Sequence, residues 1–278
     1  MSDAPIGIFD SGLGGLTAVK EMISVLPQEN IIYFGDTGRV PYGNRSRTTI
    51  TKYAKQDAAF LLSKGVKMII AACGTVSSVA TDLKDSLPVP YTGVVAPTAT
   101  AAVNTTRNGK IGVIGTSATI NSGSYKKEIL RQNDRITVYQ QDCPLFVPLV
   151  ENGFISPDDK IVQLIVEHYL APLRDVDVDT VILGCTHYPI IAPAISRFLG
   201  RNVRLIDSGR ETALYAAHLL QENNMLNTSG KLGTSSYYVS DTIDDFSRLA
   251  GIFLGRSVND SVEHIDIELQ QYKETGDK

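Results

Sequence analysis

Short, nearly continuous apolar runs recur along the chain, each closed by a glycine or a polar turn. Stretches with helical spacing lie between them. The runs predict strands at 6–9, 31–34, 67–72, 91–95, 111–114, 137–139, 180–183, 203–206, 237–239 and 264–267. Most of the early ones are apolar at successive positions, which suits strands buried on both faces of a parallel sheet. Leu16, Val19, Ile23 and Leu26 repeat at helical spacing, and Pro27 closes that pattern. Further helices are predicted at 46–64, stopped by Gly65, and at 75–85, 162–173, 188–199 and 212–220. Strand and helix alternate, which gives an α/β fold with mainly parallel sheets.

The pattern then repeats itself. Ile6-Gly7-Ile8-Phe9-Asp10-Ser11 is echoed by Ile111-Gly112-Val113-Ile114-Gly115-Thr116. The run leading into Cys73-Gly74-Thr75 is echoed by the run leading into Cys185-Thr186-His187. The order is the same in both halves, so two similar open α/β lobes are expected to face each other. Breaks at Ala96-Pro97 and Asp207-Ser208-Gly209 place the crossings between them. The expected division is 1–96 plus 207–278 for the first lobe and 97–206 for the second. In open α/β sheets ligands sit beyond the carboxyl ends of the strands, where both cysteines fall.

Composition narrows the function. A net charge of −4 and 43% hydrophobic residues exclude a disordered chain and argue against a nucleic-acid binder. No apolar run is long enough to cross a membrane, and no secretory pattern precedes the first strand. A cytoplasmic location and free thiols are therefore expected. Three cysteines without a C-x-x-C pair, and histidines without clustered ligand spacing, give neither a disulfide framework nor a metal site.

Cys73 and Cys185 each follow a strand and precede a predicted helix, where thiolate character is favoured. Cys143 has no counterpart and reads as structural. Two thiols facing one pocket suit a carbon acid that is deprotonated on one face and reprotonated on the other. The turn Asp10-Ser11-Gly12-Leu13-Gly14-Gly15 carries Thr17 where a dinucleotide fingerprint has its third glycine. No phosphate-binding P-loop pattern occurs either. This turn could hold a carboxylate or simply be a tight βα turn capped by Asp10 or Ser11. Asp36 and Tyr42, in the loop that contains Pro41 and Gly43, could reach a polar ligand. His187 lies beside Cys185, whereas His168, His218 and His264 read as structural or surface residues. Glu151 is either a helix-end carboxylate or an acid that orients His187.

Four segments together resemble glutamate racemases of the aspartate/glutamate racemase superfamily. They are Gly7 through Leu16, then Asp36-Thr37 with Val40-Pro41-Tyr42-Gly43, then Ala72-Cys73 with Thr75, then Gly184-Cys185-Thr186-His187-Tyr188-Pro189. The resemblance implies two lobes with the active site in the cleft between them. It implies interconversion of L- and D-glutamate without cofactor or metal, the D-isomer serving peptidoglycan synthesis. Cys73 and Cys185 would be the two catalytic bases, with Cys185 acting on L-glutamate and Cys73 on D-glutamate. Asp10 and His187 would assist them, with Glu151 behind His187. Ser11, Pro41, Tyr42, Gly43, Gly74, Thr75 and Thr186 would hold the ends of the substrate, joined by Thr116, Ser117 and Thr119 from the second lobe. A homodimer is implied as well. The family usually has Cys-Asn-Thr at the first thiol, whereas this chain has Cys73-Gly74-Thr75. Competing readings are a racemase of another acidic amino acid such as aspartate, a one-cysteine hydrolase, and a non-catalytic binder on the same fold.

Overall fold

The computed structural model describes residues 2–243, 246–255 and 262–268. The first part of the chain forms β1 (Ile6–Asp10), β2 (Ile31–Gly35), β3 (Met68–Ala71) and β4 (Tyr91–Gly93). The middle forms β5 (Lys110–Gly115), β6 (Thr137–Asp142), β7 (Thr180–Leu183) and β8 (Arg204–Asp207). The last part adds β9 (Ser235–Val239) and β10 (Val262–His264). They make two sheets, ordered β10-β9-β2-β1-β3-β4 and β6-β5-β7-β8. Every pairing in both is parallel. The order 2-1-3-4 reappears as 6-5-7-8, so the echo in the sequence is a repeat in topology. In each sheet the thiol-bearing strand lies directly beside the strand that opens the repeat.

The helices follow from spacing and caps. In α1 (Leu16–Val25), Leu16, Val19 and Met22 are buried, each side chain worth about 1.5–3 kcal/mol of apolar burial. Ser46 caps α2 (Arg47–Ser63), its hydroxyl accepting from the Thr49 N–H. The chain continues through α3 (Gly74–Val79), α4 (Val95–Thr105), α5 (Ser117–Ser122), α6 (Ser124–Gln132) and α7 (Phe146–Glu151). Asp159 caps α8 (Lys160–Asp175) and Asp207 caps α10 (Ser208–Glu222), with α9 (Ala192–Leu199) between them. The last helix is α11 (Phe246–Leu254). Helix α10 packs on α1 and α4, and α11 packs on α1. One apolar cluster runs from Ile6, Leu16 and Met68 through Ile114 to Leu183 and Tyr188, joining the two sheets. No helix among the described residues is long and apolar enough to cross a membrane.

Some predicted boundaries shift. The strand expected at 91–95 stops at Gly93, because Val95 and Ala96 open α4. Pro97 lies in the first turn of that helix, where its missing N–H costs nothing. The expected helices at 75–85 and 188–199 each divide into an α-helix and a tighter 3-10 segment. Pro189 and Pro193 lie in the second of these. The strand expected at 264–267 is instead β10, which ends at His264. Ile265 and Ile267 suggested the later register, and Ile267 is buried all the same.

Candidate active site

Cys73 and Cys185 stand beyond the ends of β3 and β7, both nearly buried at 5% and 7% exposure. The two turns touch. A side chain at Gly74 would place its Cβ 2.2 Å from the Gly184 carbonyl oxygen. One at Gly14 would lie 2.5 Å from the His187 ring. The Thr17 hydroxyl donates to the Thr186 carbonyl at 3.0 Å. Only residues lacking a Cβ permit such an approach. The first-lobe turns at Gly14 and Gly74 therefore press directly on the second-lobe turn 184–187.

The neighbours of the two thiols differ. Cys73 Sγ donates to Ser11 Oγ at 3.4 Å. Asp10, at the end of β1, accepts from the Gly12 and Gly15 N–H groups with Oδ2 at 3.2 and 3.0 Å. Its Oδ1 is buried without a hydrogen-bond partner among the described residues. Burial pushes the Asp10 carboxyl up, against the pull of His187 and the two N–H donors. The thiolate character expected of Cys73 is reversed: burial, and then Asp10, push its thiol up to about 12, so it carries its proton at neutral pH.

Cys185 Sγ lies 3.9 Å from His187 Nδ1. His187 Nε2 is 2.9 Å from Glu151 Oε1 at the end of α7. Burial alone would depress the imidazolium. The contacts with Cys185 and Glu151 outweigh it and push His187 up to about 10. The Phe253 ring of α11 packs edge-on against His187 at 5.1 Å between centroids. An imidazole paired with a carboxylate thus stands beside one sulfur and a carboxyl group beside the other.

The remaining candidates divide. Thr75 Oγ1 lies 3.0 Å from Thr116 Oγ1, which lies 3.1 Å from Thr119 Oγ1, so a hydroxyl chain crosses between the lobes. Gly43 faces the Thr116 side chain. Ser117, by contrast, donates to Asp142 Oδ2 at 2.7 Å. The Tyr42 hydroxyl turns inward and donates to Asp36, so those two residues meet each other. Cys143 is fully buried, with its Sγ 3.7 Å from the Gln141 carbonyl. Among the described residues no group of three or more potential ligands could hold a metal. An open cavity of about 850 Å³, lined in part by Arg45, Lys84 and Lys127, lies apart from both thiols.

Comparison with known proteins agrees with this geometry. Residues 16–216 match the Asp/Glu/hydantoin racemase family. The chain is 44% identical over 267 residues to the glutamate racemase of Geobacter metallireducens, covering 96% of this chain and 98% of that one. The chain belongs to the glutamate racemase family. A crystal structure of the Francisella tularensis glutamate racemase in complex with D-glutamate superposes with a TM-score of 0.89 at 40% identity, covering 96% of this chain and 99% of that one. A glutamate racemase isoform from Bacillus anthracis gives a TM-score of 0.92 at 35% identity, covering 97% and 100%.

Within this family architecture, sequence reading passed over two features. Thr17 breaks a glycine fingerprint in the sequence, and in the fold its hydroxyl lies between the Gly14 carbonyl at 2.9 Å and the Thr186 carbonyl at 3.0 Å. Asp57 was missed altogether. It follows Ile50 and Ala54 on the buried face of α2, and a carboxylate on an apolar stripe was the available signal.

Proposed function

We propose that the protein interconverts L- and D-glutamate by two-base proton transfer at the α-carbon, without a cofactor. What carries this reading is the pair of thiols at corresponding strand ends, each with a different acid–base neighbour. A racemase must remove a proton from one face and supply one to the other. On this reading Cys185, beside His187, takes the α-proton of L-glutamate, and the protonated Cys73 delivers its own to the opposite face. In the reverse direction Cys73 is the base, and Asp10 takes part in moving its proton. Glu151 orients His187 through Nε2. Ser11, Thr75, Thr116, Thr119, Thr186 and the backbone of the turns at 41–43 and 74 hold the carboxylates and ammonium. Ser117 contributes by holding the end of β6 near that hydroxyl chain.

We further assign residues 1–96 with 207–278 to one lobe and 97–206 to the other. The protein is proposed to act in the cytoplasm as a homodimer, supplying D-glutamate for peptidoglycan. Circular dichroism of L-glutamate in cofactor-free buffer tests the activity. The signal should decay to zero as the racemate forms, and an unchanged signal with folded protein would refute the assignment.

A further inference from the structure

A buried polar cluster lies behind the loop at 36–43. Asp36 and Asp57 are fully buried, and Arg39 and Tyr42 nearly so. Arg39 Nε donates to Asp36 Oδ2 at 2.7 Å, and its Nη2 donates to Asp57 Oδ1 at 3.0 Å. Its Nη1 donates to Gln56 Oε1 at 2.5 Å. The guanidinium also sits 4.1 Å from the centre of the Tyr53 ring. Ser240 Oγ donates to Asp36 Oδ1 at 2.7 Å. Tyr42 donates its hydroxyl hydrogen to Asp36, and its oxygen lies 3.2 Å from Asp57 Oδ2.

Burying charge is costly unless each group is paired. Here Arg39 pairs with both carboxylates. The single Tyr42 hydroxyl hydrogen serves two carboxylates, Asp36 and Asp57, and Arg39 bridges the same two. Burial and the neighbouring Asp36 push the Asp57 carboxyl upward, against the pull of Arg39 and of the Tyr42 hydrogen bond.

The cluster ties the loop to α2 and to the turn after β9. The free edge of the same loop, at Gly43, faces Thr116, and Thr116 bonds to Thr75 two residues beyond Cys73. We infer that Asp57 and Arg39, which are not among the neighbours of either thiol, are positioning residues that act through Tyr42 to hold the loop at 41–43 in register with Thr116 and so set glutamate affinity. This rests on the racemase reading and names residues that reading does not use.

The test compares Asp57→Ala, Asp57→Asn and Arg39→Met with the unaltered protein. Racemisation by the unaltered protein is established first, so its absence would count against the activity and not against the loop. Asp57→Ala and Arg39→Met should raise KM for both enantiomers alike by about tenfold or more, the scale of one lost charge-assisted hydrogen bond. Their kcat should stay within about threefold, because the loop serves neither proton transfer alone. Asp57→Asn keeps an oxygen for Arg39 and a polar atom toward Tyr42 and should keep KM within about twofold of the unaltered value. Thermal melting of all three proteins accompanies the kinetics. A wild-type KM in folded Asp57→Ala would overturn the inference. So would an Asp57→Asn protein as impaired as Asp57→Ala.

Discussion

The two thiol turns start from one plan and part in the acid–base groups beside each sulfur. β3 and β7 hold equivalent places in their sheets, and each delivers a cysteine beyond its end. The neighbouring strand ends in Asp10 in the first lobe. The corresponding residue of the second lobe is Gly115, where an added Cβ would lie 3.1 Å from the Thr119 side chain. Two residues after the thiol the first lobe has Thr75 and the second has His187. The acid–base neighbour therefore comes from the adjacent strand in one lobe and from the thiol's own turn in the other. The repeated fold fixes where each sulfur stands, and single residues around it decide what proton chemistry it does.

The largest effects should come from the thiols themselves. Cys73→Ala and Cys185→Ala should each lower kcat for racemisation by about 10³-fold or more while the far-ultraviolet spectrum stays native. Near-full activity in either variant would break the pairing of the two turns. Asp10→Asn and His187→Asn should each cost about 10²-fold, and they sharpen the comparison by direction. The equilibrium constant of a racemisation is unity by symmetry, so kcat/KM stays equal in both directions for every variant. The difference instead appears in isotope effects. Asp10→Asn should enlarge the primary deuterium effect on α-deuterated D-glutamate, and His187→Asn should enlarge that on the L-enantiomer. Matching changes in both variants would erase the distinction.

Glu151→Gln should cost less, about tenfold, because it acts through His187. It also has a pH signature. The folded-state pKa of His187 is raised from 6.5 to about 10. Its contribution to stability is therefore full below about 6.5 and is lost as pH rises through about 10. Without Glu151 the upper limit of that window should move down, which thermal melting across this range will detect. Gly74→Ala should lower stability by about 1–3 kcal/mol, since its Cβ meets backbone and not a flexible side chain. Denaturant unfolding measures that cost. Cys143→Ala should leave kcat within about twofold in the circular dichroism assay of racemisation.

The strands were legible because buried parallel strands are uniformly apolar, and the thiols because they close the two echoed runs. His187 was legible by adjacency to Cys185, and its link to Glu151 was one of two readings. The segments around Pro97, Pro189 and Pro193 were less legible, because a proline reads as a break whether it ends a helix or opens one. The Tyr42 hydroxyl was expected to reach a ligand. It points instead at Asp36, in a cluster completed by Asp57 of α2, fifteen residues beyond Tyr42. Such pairing across the chain leaves no local spacing to find. The contacts of Gly14 and Gly74 with the second lobe are equally long-range, and the sequence could register Gly74 only as a departure from the family's usual asparagine.

The central claim is that two different groups handle the α-proton on the two faces of glutamate. Racemisation of α-deuterated L-glutamate in ordinary water, stopped at low conversion, tests it most directly by mass spectrometry of the separated enantiomers. The D-glutamate formed should carry hydrogen at the α-carbon, while the remaining L-glutamate keeps its deuterium. D-glutamate that retains the deuterium would mean that one group carries the proton across, and would contradict the account.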